Sequence, residues 1–444
     1  MQKPSASTPL PAATLALLLT LPACGGLTGM GGRTGEERGK PGRQRPPAPL
    51  ELVNPLPIPR KGEILKIPAG LVEKFVPGAA RRGVSCWISG REVPSQWDPG
   101  AGLVVLVDVP PSGKLPLRLA GPSSRATSWP RWAHAEISQR SLVVDRGRGK
   151  LKTGGPWIPK KEVLVPPRHT DHDDLYRFEG PGWESDLLAW RLYLDWRCAT
   201  DLFGKRIPDN VLPRIGRDGA PSYHELNDWG QDVLKVGNAL GVGGGGFWAD
   251  QKALHFSKAD SLECVVAADG PVFARIILVF HGLELPGGSK ADLTWEITTF
   301  AHNRYTEYRI QAFRVTRKAG PIPPFCAGLV RHLKEVSRGP VPGEPSMVWV
   351  ASYGAQALAK PPYQGLGMAI LARKSEIEAI RTLPEEDVFV FKKKTGPAGL
   401  PTWWALAAWS GEPDPIRNRA AFLVETERIA RRLAHPLILQ ERRR

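Results

Sequence analysis

Alternating apolar and polar positions recur along the chain after residue 50, and they predict β-strands far more often than helices. The clearest case is the stretch "LLAWRLYLDWR" at 187–197. Its apolar positions are Leu188, Trp190, Leu192, Leu194 and Trp196, and its polar ones are Arg191, Tyr193, Asp195 and Arg197. Because side chains two residues apart share a face of a strand, this stretch predicts a strand with its leucines and tryptophans in a core.

Further strands are predicted in the second half of the chain. The apolar run Ile276–Phe280 is typical of a strand buried on both faces, and "AHNR" at 301–304 predicts a turn into the next strand. Four later β-rich runs lie at 346–354, 367–373, 387–394 and 402–411. Many strands with few helices favour an all-β protein built as a large antiparallel sandwich.

Two segments depart from this pattern. Residues 418–437 predict a helix, with Ala421, Val424, Ile429 and Leu433 on one face. The run "GVGGGG" at 241–246 lacks the Gly-Lys-Ser/Thr of a phosphate loop, and we expect a mobile loop there.

Composition shifts divide the chain into five parts. Residues 1–24 resemble a signal peptide and 25–50 a disordered tether, followed by a small accessory β-domain at 51–145. A basic, proline-rich connection at 146–162 leads to the large sandwich domain at 163–435, which we expect to carry the site.

The N-terminus predicts export. Lys3 precedes an apolar run too short for a membrane span, and Leu21-Pro22-Ala23-Cys24 resembles a bacterial lipobox. Cys24 is then the predicted lipidation site, anchoring the protein to the outer membrane on its periplasmic or surface side. A plain signal peptide with an incidental cysteine is the alternative.

Composition narrows the partners. The formal net charge is +16, but the basic residues are dispersed or gathered at the chain ends, which argues against nucleic acid. A basic surface also attracts a polyanionic polysaccharide. The 15 tryptophans suit sandwich cores or sugar stacking.

The remaining cysteines are four in number and widely spaced. Up to two disulfides or four separate buried thiols fit this spacing, and a cysteine zinc site does not. They are Cys86, Cys198, Cys264 and Cys326.

Candidate chemistry concentrates between residues 168 and 250. In "RHTDHDD", His169, Asp171 and His172 have the ligand types of a divalent metal site, and the alternative is a solvated acidic loop. In "SYHELNDW", His224 with a nearby carboxylate can act as a base and Tyr223 as an acid. A structural polar loop is the alternative there.

A second histidine group lies in the "AHNRYTEY" turn. His302 and Tyr305 form a rival acid–base pair, and Arg304 can neutralise a uronate carboxylate with a bidentate contact. A plain turn is the alternative.

Long motifs carry a resemblance to a known family. "HDDLYRFEGPGWESDLLAWRLYLDWR", "SYHELNDWGQDVLKVGNALGVG" and "DLTWEITTFAHNRYTEYRI" resemble an exported bacterial family known as a domain of unknown function and found beside polysaccharide-degradation genes. The best functional lead for that family is the activity of an ulvan oligosaccharide dehydratase. The resemblance covers roughly residues 50–435 and implies a galactose-mutarotase-like supersandwich with a smaller N-terminal β-sandwich region.

The resemblance implies an elimination on the terminal uronic acid of an acidic oligosaccharide. His224 and Tyr223 are then the expected acid–base pair, and a carboxylate neutraliser is required because the intermediate is enolate-like. Three arginines are candidates for that role: Arg177, Arg191 and Arg304. Further substrate contacts are expected from Trp183 and Trp229 by stacking, and from Glu184, Asp186 and Asp228 by hydrogen bonding. No cofactor is required, and a divalent metal is optional.

Two other functions fit the same residues. One is a non-catalytic surface lipoprotein that binds glycans. The other is a glycoside hydrolase with paired carboxylates such as Glu184 and Asp228.

Overall fold

A computed structural model describes residues 49–122, 129–144, 151–356, 358–393 and 399–442, all within one compact unit. Cys24, the signal segment and almost the whole tether lie outside the described residues. Every pairing between the strands named below is antiparallel. No described helix is long and apolar enough to cross a membrane.

A small sandwich opens the described chain. Its strands are β1 (Leu50–Val53), β2 (Arg60–Ile67), β3 (Ser85–Ile88), β4 (Arg91–Val93), β5 (Ser95–Asp98), β6 (Gly102–Val109) and β7 (Lys114–Ala120), with helices α1 (Ala69–Phe75) and α2 (Ala79–Arg82). They form a three-stranded sheet, β2-β6-β5, against a five-stranded one. The larger of the two has the order β28-β1-β7-β3-β4, and its edge strand β28 (Ile438–Glu441) comes from the C-terminus.

Two sheets of six and five strands form one layer of the large sandwich. The six-stranded sheet has the order β14-β13-β12-β11-β8-β9 and the five-stranded one β16-β15-β21-β26-β25. The six strands are β8 (Ala133–Val144), β9 (Leu151–Lys160), β11 (Gly182–Ser185), β12 (Leu188–Leu192), β13 (Thr200–Lys205) and β14 (Gly230–Asp232). The five are β15 (Val242–Ala249), β16 (Lys252–His255), β21 (Phe325–Val330), β25 (Ile377–Thr382) and β26 (Glu386–Phe391).

A nine-stranded sheet forms the facing layer, in the order β10-β17-β18-β19-β20-β27-β24-β23-β22. Its strands are β10 (Glu162–Val165), β17 (Ser261–Asp269), β18 (Phe273–Glu284), β19 (Lys290–Phe300), β20 (Tyr305–Arg317), β22 (Val336–Val341), β23 (Glu344–Ala355), β24 (Gly365–Arg373) and β27 (Thr402–Trp409). Short 3₁₀ turns at Arg177–Glu179, Leu212–Arg214 and Lys374–Glu376 and the helix α3 (Arg419–Ala434) complete the elements.

The nine-stranded sheet is covered on both faces. Its inner face shares one large core with the six- and five-stranded sheets, in which Trp190, Trp295 and Phe389 are buried. Its outer face packs against α3 through Phe422 and Ile429 and against β6 of the small sandwich. The predicted all-β class and large antiparallel sandwich are confirmed.

The strand predictions match the structure better than the predicted faces do. The four later runs form β23, β24, β26 and β27. In β18, however, Ile277 and Val279 are only partly buried, so one face alone is in the core. In α3 the buried face includes Phe422, Thr426, Ile429 and Ala430. Val424, which was predicted on the buried face, instead points to solvent and is 67% exposed.

The predicted domain boundaries and the observed sheets divide the chain differently. We expected residues 133–144 in the small domain, yet β8 pairs with β11 in the six-stranded sheet. The predicted connection at 146–162 contains β9, which pairs with β8. By its backbone hydrogen bonds, the large sandwich therefore begins near residue 133, and not at the predicted boundary.

The glycine run is a buried strand rather than a mobile loop. Gly243–Gly246 lie in the middle of β15, whose residues up to Phe247 are buried. A Cβ on Gly245 would come within 2.9 Å of the Phe256 ring and 3.3 Å of the Trp403 ring. Glycine is required here because large aromatic side chains press directly on the backbone.

Candidate functional site

A polar cluster lies on the outer face of the six-stranded sheet. Strand alternation sends Leu188, Trp190 and Leu192 into the large core, so Arg191 of β12 points to the opposite face. Asp201 of β13 lies directly opposite Arg191 in the register.

Arg191 is the centre of this cluster. Its side chain is 3% exposed, and its Nη2 lies 2.6 Å from Asp201 Oδ2 and 2.8 Å from Asp232 Oδ2. Burial opposes the charge of Arg191, but Tyr193 and the Asp201 and Asp232 carboxylates outweigh it and raise the guanidinium pKa above its ordinary value. Burial also raises the pKa of Asp201 to about 6, against the lowering effect of Arg191. The cluster therefore holds a permanent cation between two buried carboxyl groups.

Tyr193 and Arg197 extend the cluster toward solvent. The Tyr193 hydroxyl donates to Asp201, and burial raises the pKa of Tyr193, so it stays a neutral donor. Arg197 Cζ lies 3.8 Å from the centre of the Tyr193 ring. The arginine therefore stacks on the tyrosine while its Nη2 reaches Asp171 and Glu179 at 3.0 and 3.1 Å.

Tyr223 and His224 cover the other side of Arg191. The segment 206–229 carries them back to β14, and Asp232 N donates to Tyr223 O at 2.7 Å. The Tyr223 ring centre lies 5.3 Å from Arg191 Cζ and 4.5 Å from the His224 ring centre. Burial raises the pKa of Tyr223, with Arg191 opposing, so the phenol is protonated at neutral pH.

His224 combines an exposed ring with a buried partner. Its side chain is 56% exposed, and its Nδ1 lies 3.3 Å from Oδ2 of Asp232, which is 1% exposed. When Nδ1–H donates to this carboxylate, Nε2 carries the lone pair and faces solvent. The predicted pair is thus brought together over Arg191 in an arrangement suited to moving a proton.

Arg177 supports the site from below and is not available to a ligand. It is 4% exposed, contacts Glu136, and donates from Nη1 to Pro213 O at 3.3 Å. Its burial, with Arg217 nearby, lowers the guanidinium pKa to about 10. The expectation that it binds the substrate carboxylate is therefore corrected: it fixes the loop under Tyr223.

Glu184 is likewise structural. It is fully buried, and its Oε2 accepts from Lys205 Nζ at 2.8 Å and from Val211 N at 2.9 Å. Oε1 accepts from Leu212 N at 3.0 Å. A carboxylate with these partners cannot bind a sugar hydroxyl or act in a hydrolase pair, which corrects both predictions.

The two predicted stacking tryptophans are also buried. Trp183 is 0% exposed, lies parallel to Trp190, and donates from Nε1 to Thr306 Oγ1 at 2.9 Å. Trp229 is 5% exposed and contacts the edge of the Phe203 ring. Both are core residues, so neither presents a face to a sugar.

The predicted metal ligands separate. His169 turns away, since its side chain is 3% exposed and its Nδ1 lies 2.8 Å from Asp173 Oδ2. Asp171 and His172 instead meet Glu179, with their ligand atoms all within 4.8 Å of one another. Arg197 already supplies a cation to both carboxylates, so bound metal would have to displace it. The metal stays a prediction, with Glu179 in place of His169.

The rival group lies at the opposite end of the β11–β12 hairpin, at its turn. His302 Nδ1 is 2.7 Å from Asp186 Oδ2, and this hydrogen bond raises the pKa of His302. Tyr305 points into the core beneath α3 and is 5% exposed, so it cannot serve as the acid beside His302. Arg304 is bound by Glu412 and donates to Asp414 O at 3.2 Å.

His302 does border a surface groove. Its volume is about 880 Å³, and its wall includes Lys61, Asp108, Arg428 and Arg431. Tyr305 is not among the residues that line the groove, so the groove does not bring the rival pair together.

Asp228 is the one predicted polar contact on the 206–229 loop that stays at the surface. It pairs with Arg214, and both side chains are exposed.

The four described cysteines are all free and buried, and burial raises the pKa of Cys86 to about 12. They are therefore separate, unreactive thiols.

Tyr193, Asp201, Asp232 and Glu179 complete the site and are absent from the predicted set. Tyr193 lies on the polar side of the 187–197 alternation, which was a usable signal. Asp201 and Asp232 join the cluster only through cross-strand pairing of β12, β13 and β14, and no local spacing indicates it.

Comparisons with known proteins give a family but no activity. No curated protein matches the sequence. Two solved structures from Enterococcus faecalis are similar at 8% identity: a protein in the glycosyl hydrolase family 38, with a TM-score of 0.43, and an alpha-mannosidase from strain V583, with a TM-score of 0.40. Each match covers 89% of this chain but only 47% and 46% of those proteins, so the chain spans about half their length. The model of a domain of unknown function, DUF4861, matches residues 52–438, and the chain belongs to that family.

Proposed function

We propose that this protein is a carbon–oxygen lyase that performs an elimination on the terminal uronic acid of an acidic oligosaccharide. The observation that carries the proposal is the Tyr223–His224 pair, set above Arg191 and tied to the buried Asp232. The dehydratase form of the reaction releases the C4 hydroxyl as water. The lyase form releases the sugar that is attached through oxygen to C4.

His224 is the base in this proposal. Its Nε2 removes the proton at C5 of the uronic acid, which is acidic because it lies next to the carboxylate. The carbanion electrons then form the C4=C5 double bond as the C4–O bond breaks. Asp232 stabilises the imidazolium that His224 becomes, since its Oδ2 faces Nδ1 at 3.3 Å.

Tyr223 is the acid. Its raised pKa keeps the phenol protonated at neutral pH, so it can donate its proton to the departing C4 oxygen. The negative charge that develops on the carboxylate is stabilised by Arg191, whose Cζ lies 5.3 Å from the Tyr223 ring centre. Arg191 acts through its positive field from beneath the pair and not by direct contact, because it is buried and held by Asp201 and Asp232, just as Arg177 and Arg304 are held in other contacts.

The hydrolase alternative has weaker support in the cluster. The carboxyl groups around Arg191 are engaged by arginines, and Glu184 is engaged by Lys205. A pair of free carboxylates flanking one solvent-accessible bond, which glycoside hydrolysis needs, is not formed by Glu184 and Asp228.

The test is turnover of saturated uronate oligosaccharides, including those from ulvan, followed by the ultraviolet absorbance of the unsaturated product. We expect His224→Ala and Tyr223→Phe each to lower kcat by about 10²- to 10⁴-fold, the usual contribution of one proton-transferring side chain. His281→Ala is the matched control, because His281 is also an exposed histidine beside a carboxylate, Glu263, and lies on β18 away from the site.

Three results would contradict the proposal. New reducing ends without an unsaturated product would indicate a glycoside hydrolase. Glycan binding without turnover would indicate a binding lipoprotein. Equal activity of the His224→Ala and His281→Ala variants would place the chemistry elsewhere.

A further inference from the structure

Trp196 is exposed where the sequence pattern predicts a core residue. Its alternation with Leu192 and Leu194 places it on the apolar face, yet β12 ends at Leu192 and the chain turns. The Trp196 side chain is 50% exposed, and it is the single aromatic among the exposed large hydrophobic side chains of the described residues. Single exposed apolar side chains are common on protein surfaces, so the surroundings of this indole, and not its exposure alone, bear on function.

The turn that carries Trp196 is held from both sides. Asp195 Oδ1 accepts from Arg197 N at 2.9 Å, and Cys198 N donates to Asp195 O at 3.1 Å. The carbonyl of Arg197 is bound by the His255 ring, whose other nitrogen lies 3.0 Å from Asn238 O. Because the backbone is fixed, the indole is presented in advance rather than ordered on binding.

A series of contacts links the turn that carries Trp196 to the proposed catalytic pair. Three successive contacts lead from the neighbouring Arg197 to Tyr223: Arg197 to the Tyr193 ring at 3.8 Å, Tyr193 to Arg191 at 4.9 Å, and Arg191 to the Tyr223 ring at 5.3 Å. The series ends at Arg197, next to the exposed Trp196, and at Tyr223, next to the exposed His224.

Polar groups lie near the turn that carries the indole. His172 is exposed and pairs with the half-buried Asp171, whose Oδ1 lies 3.0 Å from Nη2 of Arg197, one residue from Trp196. A flat apolar ring with hydrogen-bonding groups at its edge matches a pyranose, which has an apolar C–H face and hydroxyl groups around its rim.

We propose that Trp196 is the stacking platform of a second sugar subsite, next to the uronate subsite at Tyr223 and His224. The inference rests on the proposed function and deepens it, because it names the residue that binds the sugar next to the uronic acid. Asp171 and His172 contact the hydroxyl groups of the sugar that Trp196 covers.

The experiment measures both equilibrium binding and turnover with uronate oligosaccharides from di- to hexasaccharide. We expect Trp196→Ala to weaken binding and raise KM by about tenfold, the loss typical of removing a buried aromatic anchor, with kcat within about twofold of wild type. Trp196→Phe retains a flat ring and keeps most of the affinity. Leu164→Ala is the control, since Leu164 is 63% exposed on β10 and should change neither constant.

Several outcomes overturn the subsite. Affinity of Trp196→Ala equal to wild type for every chain length does so, and so does a loss in Trp196→Phe as large as in Trp196→Ala. Failure of the wild type to bind any of the oligosaccharides removes the subsite as well. If the wild type binds the oligosaccharides without turnover and Trp196→Ala binds them more weakly, the subsite stands and the lyase is rejected. The two failures are therefore distinguishable.

Discussion

Residues in and around the six-stranded sheet divide into buried ones that hold loops in place and exposed ones that face solvent. Glu184 and Arg177 have all their strong contacts inside the protein, and they hold the 211–216 segment against the sheet. His224 and Trp196 are exposed but rest on residues that are fixed from below. Burial, rather than residue type, therefore separates the support of the site from its working surface.

Burial also shifts the pKa of a glutamate in the five-stranded sheet of the large sandwich. Glu386 on β26 is 5% exposed, and burial raises its pKa to about 7, with Glu385 and Asp387 adding to the effect and the Leu240 N–H opposing it. The ordinary value is 4.5. The folded protein thus binds a proton that the unfolded chain releases between these pH values, so stability falls as pH rises from about 4.5 to 7.

We expect Glu386→Gln to remove that fall, because the amide keeps an acceptor for Leu240 N but does not ionise. Each unit of pKa difference corresponds to about 1.4 kcal/mol, so the variant should gain relative to wild type as pH rises through this window. Denaturant unfolding at about pH 5 and about pH 8 measures the gain. Glu385→Gln, at an exposed neighbour that adds to the shift less than burial does, should show a smaller change, and an equal gain in both variants would refute the assignment.

Single elements are stabilised by local hydrogen bonds at their ends. Helix α3 begins after Asn418, whose side chain accepts from Ala421 N at 2.9 Å. Its first turn contains no acidic residue, so this cap is the local feature that satisfies a free N–H there. The same helix covers the outer face of the nine-stranded sheet, so its stability bears on the fold as a whole.

We expect Asn418→Ala to lower the free energy of unfolding by about 0.5–2 kcal/mol, the usual cost of a lost N-cap. Asn418→Asp should keep the hydrogen bond and add a favourable charge at the helix N-terminus, so it should be at least as stable as wild type. Thermal and denaturant unfolding of both variants tests this. A loss of similar size in the two would mean that the cap is not what stabilises the helix start.

The two sandwiches of the molecule are joined by buried contacts. Strand β6 divides its side chains between both cores, with Leu103 and Val105 in the small sandwich and Val104 and Leu106 against the nine-stranded sheet. Arg432 of α3 adds a polar link, since its Nε lies 2.7 Å from Glu63 Oε2 on β2 and its Nη2 lies 3.4 Å from Asn303 Oδ1. The chain should therefore unfold as one cooperative unit.

We expect Arg432→Ala to destabilise the protein by about 3 kcal/mol, because it strips a buried carboxylate of its closest partner. Arg428→Ala is the matched control on the same helix: its pair with Glu425 is partly exposed and is worth about 0.5 kcal/mol. Denaturant unfolding followed by two probes measures both the loss and the cooperativity. An Arg432→Ala loss no greater than that of Arg428→Ala would show that this link does not join the sandwiches.

Local periodicity was enough to predict the all-β class and the four later strands, because alternation depends only on residues two apart. The pairing of Tyr223 with His224 was also predictable, since they are neighbours in the chain. The tertiary structure alone decided which polar residues surround them. Arg191 meets Asp201 and Asp232 through strand pairing across residues distant in sequence, and the need for glycine at Gly245 is explained only by aromatic rings from other parts of the chain. Trp196 shows the same limit: its alternation predicts a core residue, but the strand ends at Leu192 because a turn fixed by Asp195 and His255 takes over.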